Sequence, residues 1–106
     1  LLMAAEAFNR ATAPNDSKAQ GYLNQVRQRA FGNASNNITA TGTALRQAIW
    51  DERRLELAME GDRFFDLVRT GLAATKITGF KAGKHEVFPI PQQEVDISGL
   101  TQNAGY

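Results

Sequence analysis

Two glutamates, Glu52 and Glu56, stand one helical turn apart in a stretch dense with charge. Between Arg46 and Arg69 the chain carries Arg46, Arg53, Arg54, Arg63 and Arg69 against Asp51, Glu52, Glu56, Glu60, Asp62 and Asp66. Paired carboxylates are the chemistry of glycoside hydrolysis, in which two acids flank the scissile bond. The spacing argues against that use. Residues one turn apart on one helix look out in the same direction, about 5–6 Å apart at their β-carbons, and cannot approach a sugar from opposite sides. At about 100° per residue, Leu45, Ala48, Ile49, Leu55 and Met59 form one apolar stripe, and Glu52 and Glu56 fall inside it. Carboxylates turned toward a core need cationic partners, because an unpaired buried charge costs several kcal/mol. Arg27, Arg29, Arg54 and Arg63 are the candidates. The expectation is a structural charge network of Glu52, Arg53, Arg54, Glu56, Glu60, Arg63 and Asp66, with no catalytic residue.

Other side chains with chemical potential are few. Trp50 shares a helical angle with Leu57 and is flanked by Arg46, Arg53 and Arg54, so it could stack a sugar ring. Core or interdomain packing is the commoner use of a tryptophan spaced with leucine, which leaves Trp50 as the only candidate ligand contact. The remaining aromatics lie in apolar periodic runs or beside the tail prolines, and no sugar-stacking cluster is expected. His85 is the only histidine and has no metal-ligand spacing around it, so a solvated loop residue is expected. Ser17, Ser35 and Ser98 lack a nucleophile-elbow context, and no glycine loop precedes a helix in the manner of a phosphate site. Neither a metal nor a cofactor is implied. With no cysteine in 106 residues, disulfides and thiolate sites are excluded. A net charge of +1 leaves no basic footprint for nucleic acid.

The elements that must position these groups read as helices. Residues 1–12 place Leu1, Leu2, Ala5, Phe8 and Ala11 at helical spacing up to the turn cluster Pro14-Asn15-Asp16. From Lys18 to Phe31, Ala19, Tyr22, Leu23, Val26 and Ala30 continue the pattern, with Asp16 or Ser17 as the cap and Gly32 as the stop. These two make a helical hairpin over 1–31. Residues 32–43, small and polar, read as a surface loop, and the glycosylation patterns at Asn33 and Asn37 are chance matches in such a composition. Thr43 is placed to cap a third helix running to about Glu60. Gly61 supplies a left-handed break, and Asp62 opens a fourth helix to about Thr70 before Gly71, so 44–71 is a pair of helices. Residues 72–88 show no sustained period, and Pro91 opens one short helical turn in a tail, 72–106, that is otherwise irregular. The fold class is all-α, with about four helices in tetratricopeptide-like hairpins.

Several of these strings resemble the C-terminal signature of the SusD/RagB family of Bacteroidetes outer-membrane nutrient-binding lipoproteins. YLNQVRQRA at 22–30 is similar to that family's N-x-V-R-x-R-A helix, and ERRLELAMEGDRFFDL at 52–67 to its E-R-x-x-E-L-x-x-E-G-x-R-x-x-D-L segment. FPIPQQEVD and LTQNAGY resemble its closing motifs, and LLMAAEAFNRA its A-E-A-x-N helix. Ala104 stands where the family usually has proline, and Ile97-Ser98-Gly99 replaces an Asn-Pro-Asn-like turn. The resemblance implies a C-terminal scaffold segment of a longer, lipid-anchored protein exposed at the outer membrane. Such a protein would capture glycan or peptide and deliver it to a TonB-dependent SusC-like transporter. Residues 1–5 have no basic leader and meet Glu6 at once, so neither signal peptide nor membrane span is expected here. The rival readings are a tetratricopeptide-like protein-interaction module without glycan binding and, less favoured, a carboxylate-dependent glycan hydrolase.

Overall fold

A computed structural model describes residues 1–106 as six helical segments without a strand: α1 (Leu2–Arg10), α2 (Asp16–Phe31), α3 (Gly42–Glu56), α4 (Arg63–Arg69), α5 (Ala73–Lys76) and α6 (Gln92–Ser98). The fold is all-α, and two of the six segments, α5 and α6, lie in the stretch expected to be largely irregular. None of the helices is long and apolar enough to cross a membrane. The chain divides into two compact units, Leu1–Glu60 and Gly61–Tyr106.

The first unit is built around α1, α2 and α3, whose apolar faces meet in a core of Leu2, Ala5, Ala19, Leu23, Val26, Leu45 and Ile49. Leu23, Leu45 and Ile49 are fully enclosed. Burying each contributes about 1.5–3 kcal/mol relative to leaving it in water. Phe8 stacks on Tyr22 at 5.7 Å along the edge of this core. The cap of α2 is Asn15, whose side chain accepts the Lys18 N–H, rather than Asp16 or Ser17. Gly32 ends the helix in the left-handed conformation at φ 71°, as its position predicts.

The connection from α2 to α3 is the surface loop that its composition suggests, but it is not free. After a turn at Ala34–Asn37, side chains along one face of α2 hold residues 36–40 as a strap. Arg27 Nε donates to the Asn36 carbonyl at 2.6 Å, and Gln28 Nε2 donates to Asn37 Oδ1 at 3.2 Å. Asn24 donates to the Ile38 carbonyl and accepts the Ile38 N–H, while Gln20 donates to the Thr39 and Ala40 carbonyls. Spaced at i, i+4, i+7 and i+8, these four side chains occupy one helical face. Between them they satisfy backbone groups that have no ladder partner. Ile38 and Ala40 pack against the core at the same time.

The strap retraces α2 from its end to its start, so α3 sets off beside the first turn of α2 and runs parallel to it. At that start Asp16 accepts the Gly42 N–H at 2.6 Å and the Asn9 Nδ2–H at 2.9 Å. Asn9, 2% exposed, also donates to the Gly42 carbonyl and accepts from Arg46 Nε. One buried amide therefore ties α1, α2 and α3 together where all three pass.

Two expectations for α3 need correction. The helix begins at Gly42, with Thr41 rather than Thr43 at the cap position, and it ends at Glu56, one turn before Glu60. Past Glu56 the helical phase no longer applies. Met59 is fully exposed, with a positive φ of 72°, and Leu55 on the flank of the stripe is also exposed. The buried face is Leu45, Ile49 and Glu52. Gly61 does adopt the left-handed conformation, at φ 84°.

In the second unit, α4 buries Asp66 and Leu67, and Ala73 opens α5 as a buried residue. Asp62 precedes α4 without a side-chain capping bond. Beyond α5 the backbone is held by side-chain amides much as the strap is. Gln102 accepts the Ile90 N–H and donates to the Ile90 carbonyl, Asn103 donates to the Phe88 carbonyl, and Tyr106 O–H donates to the Val87 carbonyl. The closing stretch is thus fastened to residues 87–90.

Candidate functional site

The two glutamates of the apolar stripe meet arginines from α2. Glu52, buried at 6% exposure, accepts from Arg27 Nη1 at 2.5 Å. Arg27 at the same time donates to the Asn36 carbonyl and lies 5.2 Å over the Phe31 ring. Glu56 receives Arg29 Nη2 on both carboxylate oxygens, at 2.5 and 2.6 Å. Of the four candidate arginines, Arg27 and Arg29 form these pairs, while Arg54 and Arg63 do not.

The pairs differ in depth. The Arg27 and Glu52 side chains are 18% and 7% exposed, against 67% and 29% for Arg29 and Glu56. The first is a buried ion pair with a further hydrogen bond, and the second lies at the surface, where water screens it. Both carboxylates are occupied by guanidinium groups and face one way, so they offer neither a free general acid nor an opposed nucleophile.

The other members of the expected network are scattered. Arg53 is half-buried and, with Leu2, Val26, Arg29 and Glu56, lines a cavity of about 290 Å³ at one end of the first unit. Arg54 and Glu60 are exposed. In the second unit Arg63 is half-buried, and Asp66 is buried and accepts from Arg69 Nε at 2.8 Å. Trp50 is half-buried, and its indole Nε1 is enclosed with no hydrogen-bond partner within the protein.

Spacing along the sequence misses a grouping of aromatics in the second unit. Phe64 of α4 lies 6.4 Å from Phe80 and 6.1 Å from Phe88, and Phe80 meets the edge of the His85 ring at 5.7 Å. Together with Tyr106 these rings line a cavity of about 320 Å³. His85 is a turn residue, as expected, but it is not fully solvated. It is half-buried, and its Nδ1 accepts the Lys81 N–H at 3.1 Å. Lys84 lies over the Tyr106 ring at 4.4 Å. The only local signal for this cluster is the pair Phe64-Phe65, because its other members come from three turns and the final residue.

Glu86, in the same turn region, accepts the Gly83 N–H at 3.0 Å. Its carboxyl is held below the ordinary glutamate range, first by that backbone hydrogen bond, then by its own and the Lys84 backbone N–H groups and by the nearby His85.

Comparison with known proteins agrees with the motifs. The model of the SusD family matches residues 1–87. A SusD-like protein P25 of Formosa agariphila is 33% identical over 92% of this chain and 20% of its own length. A SusD-like protein P2 of the same organism is 33% identical over 100% of this chain and 24% of its own length. The chain thus spans about a fifth to a quarter of the length of the curated relatives it matches. No solved structure matches it significantly. With most of its length under the family model and its paired arginine and glutamate motifs meeting across α2 and α3, the chain belongs to the SusD family.

Proposed function

We propose that this chain is scaffold within a nutrient-binding protein of the outer-membrane surface. That protein would be lipid-anchored, take up glycan or peptide, and hand it to a TonB-dependent SusC-like transporter. The family match over residues 1–87 carries the reading. The disposition of the charges supports it. In the motif segments, Arg27, Arg29, Glu52 and Glu56 are spent on one another, which suits residues that hold helices together rather than residues that bind or cut a substrate. On this reading the protein binds and does not catalyse, and its ligand site lies outside the paired motifs.

The test compares the intact protein with the 106-residue chain. Each is titrated with a panel of plant and host oligosaccharides while heat and the fluorescence of Trp50, the only tryptophan of this chain, are followed. Saturable binding by the intact protein alone is the expected result. Micromolar binding by the isolated chain, lost in a folded Trp50→Ala variant, would overturn the scaffold assignment and place the ligand on α3.

A further inference from the structure

The aromatic cavity of the second unit has a chemistry unlike that of a sugar or ion site. Its volume of about 320 Å³ is at the small end of ligand pockets, and a cavity of about 150 Å³ is enough to hold a benzene ring. Phe64, Phe80 and Phe88 present ring surfaces, and no Asp, Glu, Lys or Arg is among the lining residues. No lining side chain offers a counter-charge to a charged ligand, and the nearby Lys84 ammonium is engaged over the Tyr106 ring.

Its hydrogen-bonding capacity is also small. Thr78 contributes a hydroxyl. Tyr106 lines the cavity too, but its O–H is already given to the Val87 carbonyl. His85 accepts the Lys81 N–H at Nδ1, which leaves Nε2 as its remaining polar atom. A pyranose brings several hydroxyls, and most would go unmatched against two or three polar groups. A planar ring with one acceptor or donor at its rim matches both the aromatic surfaces and the few polar atoms.

We propose that the cavity bounded by Phe64, Phe80, His85, Phe88 and Tyr106 binds an uncharged planar ring of one or two fused cycles. The site is separate from the nutrient-binding reading, and either can fail without the other. Phe88 is 71% exposed and Thr78 is exposed, so substitutions at these positions change the cavity without opening a hole in a core.

Indole and glucose are the probes, and their binding to the intact protein is measured by equilibrium dialysis and saturation-transfer NMR. Indole is expected to bind saturably at one equivalent, glucose more weakly. Phe88→Ala removes a ring face and Thr78→Trp fills the cavity, and each should weaken indole binding at least fivefold while the thermal midpoint stays within about two degrees. The proposal is overturned by absence of saturable indole binding, by weakening of less than fivefold in either variant, or by tighter binding of glucose than of indole at this site.

Discussion

Replacing Glu52 by alanine tests the central claim about the charged motifs, because the structure assigns two similar-looking ion pairs very different worth. In Glu52→Ala the Arg27 guanidinium, 18% exposed, loses its counter-charge but keeps the Asn36 carbonyl and the Phe31 ring. Breaking one side of a buried pair costs about 3–5 kcal/mol when the survivor cannot reach water. Arg27 retains one acceptor and some exposure, which brings the expectation down to about 2–3 kcal/mol. In Glu56→Ala the survivor is Arg29, 67% exposed and free to hydrate, so the loss should stay under about 1 kcal/mol. Urea unfolding of the 106-residue chain measures both. With a slope near 1 kcal/mol/M, the first variant should lower the midpoint by about 2 M and the second by well under 1 M. A double-mutant cycle through Arg27→Ala then separates the pair from the remaining Arg27 contacts. Equal midpoints for the two single variants, or a larger loss for Glu56→Ala, would refute the assignment of burial.

Backbone conformation supplies further tests, read as shifts in thermal midpoint. Gly61→Ala should destabilise by about 1 kcal/mol, because φ is 84° there although space is open around it. Gly21→Ala, in the interior of α2 with nothing within 4 Å, should instead stabilise by about 0.5–1 kcal/mol. Met59→Gly should also stabilise, by up to about 1 kcal/mol, since an exposed methionine gives up its left-handed strain. Asn9→Leu should cost about 2–3 kcal/mol by orphaning groups on α2 and α3, and a smaller loss would mean that water replaces the amide. Glu86 should titrate below an ordinary glutamate by NMR. Its contribution to stability is then present above the unfolded-state value and fades as pH falls through the folded one, and Glu86→Gln should remove that pH dependence.

What could be read from the residues was what local rules control. Apolar spacing located α1 and α2, and the glycines at 32 and 61 marked left-handed positions because the chain needed such a conformation where the helical pattern stopped. The end of α3 is not legible in the sequence because a non-glycine residue, Met59, takes the first left-handed position after it, which composition gives no reason to expect. The strap over 36–40 was invisible for a different reason. Its order comes from Gln20, Asn24, Arg27 and Gln28, residues 9 to 20 positions away that look like ordinary solvated residues of a helix surface. The aromatic cavity had no local signature at all, since the chain between Phe64 and Tyr106 must fold before its rings can meet.

The choice of Arg27 and Arg29 from four candidates follows from topology. On α2 the buried line runs through Ala19, Leu23 and Val26. At about 100° per residue, Arg27 lies on one flank of that line and Arg29 on the other. Two arginines two residues apart thus straddle the apolar stripe, a placement that a continuous run of one face would not give. Glu52 and Glu56 answer them only because α3 runs parallel to α2, so that the later arginine finds the later glutamate. An antiparallel α3 would reverse the order and set Arg27 against Glu56. The parallel course in turn depends on the strap: from Asn36 to Ala40 it can extend about 13 Å, enough to retrace the roughly 10 Å of α2 between Arg27 and Gln20. The arginine motif on α2, the polar strap and the glutamate motif on α3 therefore form one device. Arg27 belongs to all of it, since the same guanidinium that neutralises Glu52 also holds the strap at Asn36.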